Sequence, residues 1–118
     1  MTRIRISGPA RRDIARILRR SRGEFGLEAA DRYRTLLDRA LNDLAEDSSR
    51  PGVRNIFDVK QHYLAYQVKM SVGRAPKPTV RHPRHVIAFR LESAREIFVA
   101  RVFHERQLLT QHLNDGDS

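Results

Sequence analysis

Between Leu27 and Leu44, apolar residues recur at Ala29, Ala30, Tyr33, Leu36, Leu37, Ala40, Leu41 and Leu44. This is the three-and-four spacing of one helix face, and a face that wide has to be buried against another element. A similar stripe runs just ahead of it through Ala10, Ile14, Ile17 and Leu18 towards Phe25. Arg11, Arg12, Arg16, Arg19, Arg20 and Arg22 fall largely on its other sides, so the first helix has a basic outer face. Ser7 is placed to cap this helix, with Pro9 in the first turn, where a missing N–H costs nothing. Gly23 and Gly26 flank Glu24-Phe25 and predict the turn of a helical hairpin. Ser48-Ser49-Arg50-Pro51-Gly52 ends the second helix, because proline cannot continue it.

Strand signals lie on either side of the hairpin. Arg3, Ile4, Arg5 and Ile6 alternate up to Ser7, the pattern of a short edge or hairpin-like strand. Tyr63 to Val72 contains a strand candidate, and Gly73 to Pro83, rich in proline and basic residues, reads as a mobile loop. His85–Leu91 places Ile87, Phe89 and Leu91 on one face and Val86, Ala88 and Arg90 on the other. Ile97–His104 alternates likewise, and Glu92 to Glu96 is short enough to close a hairpin. A helical turn is expected over Gln107 to His112. The order predicts an α+β domain: an N-terminal strand, then an antiparallel two-helix hairpin packed on one face of a small antiparallel sheet. One domain is expected over residues 1–113, with a flexible tail over 114–118.

The net charge is +9 and the pI about 11.1. Residues 50–106 hold 12 Lys and Arg against Asp58, Glu92, Glu96 and Glu105, so the positive field belongs mainly to the second half. Such a field suits an anionic partner, nucleic acid or acidic protein, although an arginine-rich composition alone would raise the pI as well. The absence of cysteine excludes disulfides and thiolate metal sites. His82-x-x-His85 has neither a cysteine nor a nearby acid to complete a ligand set, so no metal and no other cofactor is expected. No stretch approaches the ~18 apolar residues of a membrane span, and the first residues lack a signal peptide's apolar run. The expectation is a soluble intracellular protein.

Three segments together resemble a known family. Ala10-x-x-Asp13-Ile14-x-x-Ile17, then Phe25-Gly26-x-x-Ala29-x-x-Tyr33-x-x-Leu36 and Leu41-x-x-Leu44-Ala45, is similar to the helical hairpin of ParE-type toxins in the RelE/ParE superfamily. Pro83 to Arg90, and Ile97-x-Val99-x-Arg101-Val102-Phe103-His104 running on to Leu108 and His112-Leu113, resemble that family's last hairpin. Each motif alone is weak, and their order and spacing carry the likeness. Residues 53–82 are longer than in the compact toxins. The resemblance implies a cytoplasmic toxin of a type II toxin–antitoxin system that inhibits DNA gyrase and so blocks replication. It also implies a cognate antitoxin, often a ribbon–helix–helix ParD-type protein, that covers the toxin in a hetero-oligomer and supplies the contacts to operator DNA.

The superfamily also contains ribosome-dependent mRNA endonucleases, which need a base, an acid and cations for the developing phosphorane charge. His104, Arg90 and Arg101 are the residues from which such a site would be built. Against it, the RNase branch generally places a Tyr or a His-Tyr pair near its C-terminus, whereas here Glu105 follows His104 and no Tyr follows Tyr66. We therefore assign Arg90, Arg101 and His104 to target binding rather than catalysis, and Val86, Ala88, Phe98, Ala100 and Val102 to antitoxin binding. A third reading is a non-toxic member that binds the antitoxin and co-regulates transcription. Plainer roles compete at each position: Arg101 paired with Asp13 or Glu96, His104 as a structural histidine, and Tyr33 packed in the core with its hydroxyl at the rim. Tyr63 and Tyr66 suit strand packing as well as recognition.

Overall fold

A computed structural model describes residues 2–56 and 63–110 of the chain. Its elements are β1 (Arg3–Ile6), α1 (Gly8–Phe25), α2 (Leu27–Glu46), β2 (Val53–Ile56), β3 (Tyr63–Gln67), a 3₁₀ helix (Val68–Arg74), β4 (His85–Ser93), β5 (Glu96–His104) and α3 (Glu105–Thr110). Residues 111–118, and with them the expected flexible tail and the end of the expected last helical turn, lie outside the described residues.

The hairpin forms as its residues dictate. The Ser7 side chain accepts from the Ala10 amide and Pro9 sits in the first turn, so α1 begins where its cap predicts. Gly23 does not break the helix, which runs on to Phe25. The reversal is made at Gly26 alone, whose φ of 97° is a region that disfavours residues with a Cβ. So abrupt a turn leaves its flanks outside the core: Phe25 and Leu27 are both exposed.

The sheet order is β1-β5-β4-β3-β2, with antiparallel pairing throughout except that β1 runs parallel to β5. The sheet is thus mixed rather than antiparallel, and the N-terminal strand is an edge strand but not a hairpin partner. β2, which carries no clear alternation in the sequence, forms the other edge.

Both helices pack on one sheet face. Leu36, Leu37, Ala40 and Leu44 of α2, with Ala10 of α1, meet Tyr66, Ile87, Phe89, Ile97, Val99 and Val102 in one apolar cluster. Each large side chain buried there contributes about 1.5–3 kcal/mol. Leu91, expected beside Ile87 and Phe89, is exposed at the far end of β4. Where the cluster meets the 3₁₀ helix it encloses a carboxylate. Asp43 is fully buried and accepts from Ser71 Oγ at 2.6 Å, Arg74 Nε at 2.8 Å and Arg39 Nε at 3.0 Å, with Arg50 Nη1 at 3.5 Å. The Ser71 and Tyr66 hydroxyls share a further hydrogen bond. The end of α2 and the turn after it are thereby fastened to the end of β3 and the 3₁₀ helix, which is why the long connection after β3 begins in ordered structure.

Candidate functional site

The last hairpin carries every residue assigned from the sequence to target binding, antitoxin binding or a reaction, and its register decides which of them meet. Near the turn, Phe89 faces Val99 and Arg90 faces Phe98; beyond it, Ala88 faces Arg101, Ile87 faces Val102 and His85 faces His104. One extra residue, Ala100, is accommodated in a β-bulge, and the inside–outside phase of β5 inverts across it. The alternation expected from the sequence therefore fails at Val102. This residue turns to the helix side, is 2% exposed and belongs to the core cluster, so it does not share a face with Val86, Ala88 and Phe98.

The bulge lies where β1 ends. Ile6 is the last residue paired with β5, and beyond it the Ser7 amide and hydroxyl bond to the carbonyls of Val99 and Ala100. The next free edge amide, that of Val102, donates to Asp13 Oδ2 at 3.0 Å. Arg101 Nε and Nη2 grip the same carboxylate at 2.7 and 3.1 Å. Asp13 is almost wholly buried on α1, and this fork-like pairing locks the helix to the strand. Of the two plainer partners considered for Arg101, the structure selects Asp13.

Arg90 lies elsewhere. Its guanidinium bonds to Glu92 Oε1 at 3.0 Å and stacks 4.7 Å above the Phe98 ring, which Arg5 also covers at 4.9 Å. Since Arg90 is five residues along β4 from the partner of His104, the two are separated by roughly 17 Å at ~3.3 Å per residue. Arg90, Arg101 and His104 are therefore not brought together around one reacting group.

What His104 does meet is His85, ring edge to ring face at 5.6 Å, and behind His85 stands Tyr33 of α2, whose hydroxyl bonds to His85 Nδ1. Burial raises the Tyr33 pKa, so the hydroxyl stays protonated, and its proton is placed for His85. Burial first, then the charge of His104 and of Arg20, lowers the His85 pKa to about 4. The Arg106 amide donates to His104 Nδ1 at 3.0 Å, leaving Nε2 to carry the proton of the neutral ring. This Tyr33–His85–His104 row was not visible in the sequence because the bulge sets the pairing of its two histidines.

A pH effect follows. His85 binds a proton in the unfolded chain below the ordinary histidine pKa of 6.5 but resists it in the fold down to about 4. Stability is thus full above pH 6.5 and is lost as the pH falls towards 4. Solvent at the half-exposed ring screens part of the effect, and by pH 5 the loss is expected to be roughly 1 kcal/mol. Urea midpoints at pH 7 and pH 5 measure it; a His85→Gln variant with the same acid slope would remove His85 as the source.

Among the described residues, neither α1 nor α2 lies over the second sheet face. Val86 and Ala88 of β4 and Ala65 of β3 form its floor, all at or below 7% exposure, between the half-buried rings of Phe98 and Phe103. Arg5, Arg54 and Arg90 rise around this floor by register, and Tyr63 lines its far side. Phe103 was not singled out in the sequence, although the register places it directly opposite Val86.

A helical hairpin on one face of a five-stranded mixed sheet, with small residues, aromatic rings and arginines on the other, defines a compact α+β protein. A family model described as "ParE toxin of type II toxin-antitoxin system, parDE" matches residues 4–109, and the chain belongs to that family. Among curated proteins none matches at a significant level. Among the described residues, no helix is long and apolar enough to cross a membrane, and no three potential ligand side chains are grouped to hold a metal ion.

Proposed function

We propose that this toxin acts in the cytoplasm by trapping DNA gyrase on cleaved DNA, and that a cognate ribbon–helix–helix antitoxin neutralises it by laying a peptide over the uncovered sheet face. The observation that carries the antitoxin part is that face itself. Its floor of small side chains, Val86, Ala88 and Ala65, is flanked by Phe98 and Phe103, which supply anchors, and Arg5, Arg54 and Arg90 suit acidic side chains. Operator DNA would then be contacted through the antitoxin.

The gyrase reading is supported by the separation of Arg90, Arg101 and His104. Arg101 is committed to Asp13, and Arg90 lies at the other end of the hairpin, so these three do not assemble the acid, base and phosphate clamp of an mRNA endonuclease. The endonuclease reading keeps one observation in its favour, the His85–His104 pair beside basic side chains. Purified protein added to a gyrase supercoiling and DNA-cleavage assay, with mRNA integrity followed in a cell-free translation extract, tests both. Lost supercoiling with trapped cleaved DNA and intact mRNA is the expected result. Cut mRNA with normal gyrase would transfer the function to the endonuclease branch, and neither effect, with antitoxin binding retained, would leave a co-regulator.

A further inference from the structure

Beside the two histidines, between the 3₁₀ helix and the start of β4, lies an open cleft of about 300 Å³. Lys69, Arg81, His82, Arg84 and Glu105 line it, with Val72 and Pro83. Arg84 is paired with Glu105 at 2.9 Å. Among the described residues, Lys69, Arg81 and His82 take part in no salt bridge, unlike Arg39, Arg50 and Arg74 around Asp43 or Arg101 on Asp13. Two segments separated in sequence thus converge their cations on one concavity in which Glu105 is the single carboxylate among the described residues. Like charges held together in a cleft repel one another, and a concave wall concentrates their field. We infer that this cleft is a docking site for the phosphate backbone of double-stranded DNA, used by the toxin itself and separate from the uncovered sheet face.

The lining distinguishes this ligand from the alternatives. An acidic peptide is held through apolar or aromatic anchors seated in pockets, and here Pro83 is buried, so among the described residues the cleft offers no apolar anchor larger than the half-buried Val72. Single-stranded nucleic acid is gripped by stacking bases on aromatic rings, and among the described residues no Phe, Tyr or Trp lines the cleft. What remains is a set of cationic donors without a base-reading surface, which binds duplex phosphates irrespective of sequence. The contact therefore differs from operator recognition, and it does not depend on which cellular enzyme the toxin inhibits. Glu105, the carboxylate among the described lining residues, opposes it.

Fluorescence anisotropy of a short labelled DNA duplex with the purified full chain, at a series of salt concentrations and without gyrase, is the test. A Lys69→Gln/Arg81→Gln variant is expected to bind roughly tenfold more weakly, with its log–log salt slope reduced by about two. Glu105→Gln is expected to tighten binding. An Arg11→Gln/Arg12→Gln variant removes the same charge from the outer face of α1 and should change neither affinity nor slope appreciably. Equal weakening in both double variants would mean that binding follows net charge alone and would overturn the site. So would absence of duplex binding, or displacement of the duplex by polyglutamate as readily as by unlabelled DNA. All three variants alter exposed or half-exposed side chains, and circular dichroism confirms that each is folded.

Discussion

Replacing Asp43 with alanine is expected to destabilise the fold by about 2–4 kcal/mol, the cost of removing a buried acceptor discounted for the solvent that reaches its arginine partners. The side chain is fully buried, and its loss takes the acceptor from Ser71 Oγ and from the Nε groups of Arg39 and Arg74, whose Nη2 groups keep Glu46, with Arg50 close behind. Domains of this size are stable by about 5–15 kcal/mol in total, so the change consumes a large share of the margin. A fall of about 10–20 °C in the thermal midpoint is expected. Should the alanine variant fail to fold, Asp43→Asn keeps an acceptor for Ser71 but loses the charge, and is expected to cost about 1.5–3 kcal/mol. Asp38→Asn, on the exposed side of α2, serves as the comparison. If Asp43→Asn and Asp38→Asn melted together, the buried carboxylate would not be a fastening point.

The second large effect concerns the uncovered sheet face and rests on the proposal that an antitoxin peptide lies there. Phe103→Asp is expected to weaken antitoxin binding by about two orders of magnitude or more, through loss of an aromatic anchor and introduction of a charge facing an acidic chain. Phe103 is half-exposed on the outer side of β5, so the substitution leaves the helix-side core intact. Calorimetric titration with the antitoxin measures it, with Phe25→Asp at the exposed hairpin tip as a control. Unchanged affinity for Phe103→Asp, or an equal loss for Phe25→Asp, would place the antitoxin elsewhere.

The parts of this architecture that could be read from the sequence are those whose signal is local. The stripe from Ala30 to Leu44 repeats with the helical period, and Ser7 and Pro9 mark a start that the structure reproduces. Phe89 and Ile97 lie on the helix-side face, where the period-two alternation of their strands puts them. The rest depends on pairings that local pattern cannot specify. A hairpin centred on Ala94 would set His85 opposite Phe103; the residue accommodated at Ala100 moves that partner to His104 and turns Val102 inwards. The sequence offered Asp13, 88 positions away, and Glu96 as acceptors for Arg101, and only the fold decides between them. Asp43 likewise reads as an ordinary polar position on α2 until Ser71 and Arg74 are folded onto it. The resemblance to ParE-type toxins supplied the family, while the basic cleft needed the convergence of Lys69 with Arg81 and Arg84, which only the tertiary structure provides.

The parallel pairing of β1 with β5 has a consequence for the order of folding. Arg3 is matched with Glu96, so the first strand waits on a segment far along the chain. Contacts between such distant positions form late and slowly, because a long loop must close before they can stabilise anything. During translation the helical hairpin emerges with its apolar face unmatched, and β4 and β5, which cover most of it, follow later. Until β5 has been made and has captured β1, the chain therefore has neither a closed core nor the finished sheet on which the proposed antitoxin peptide would lie.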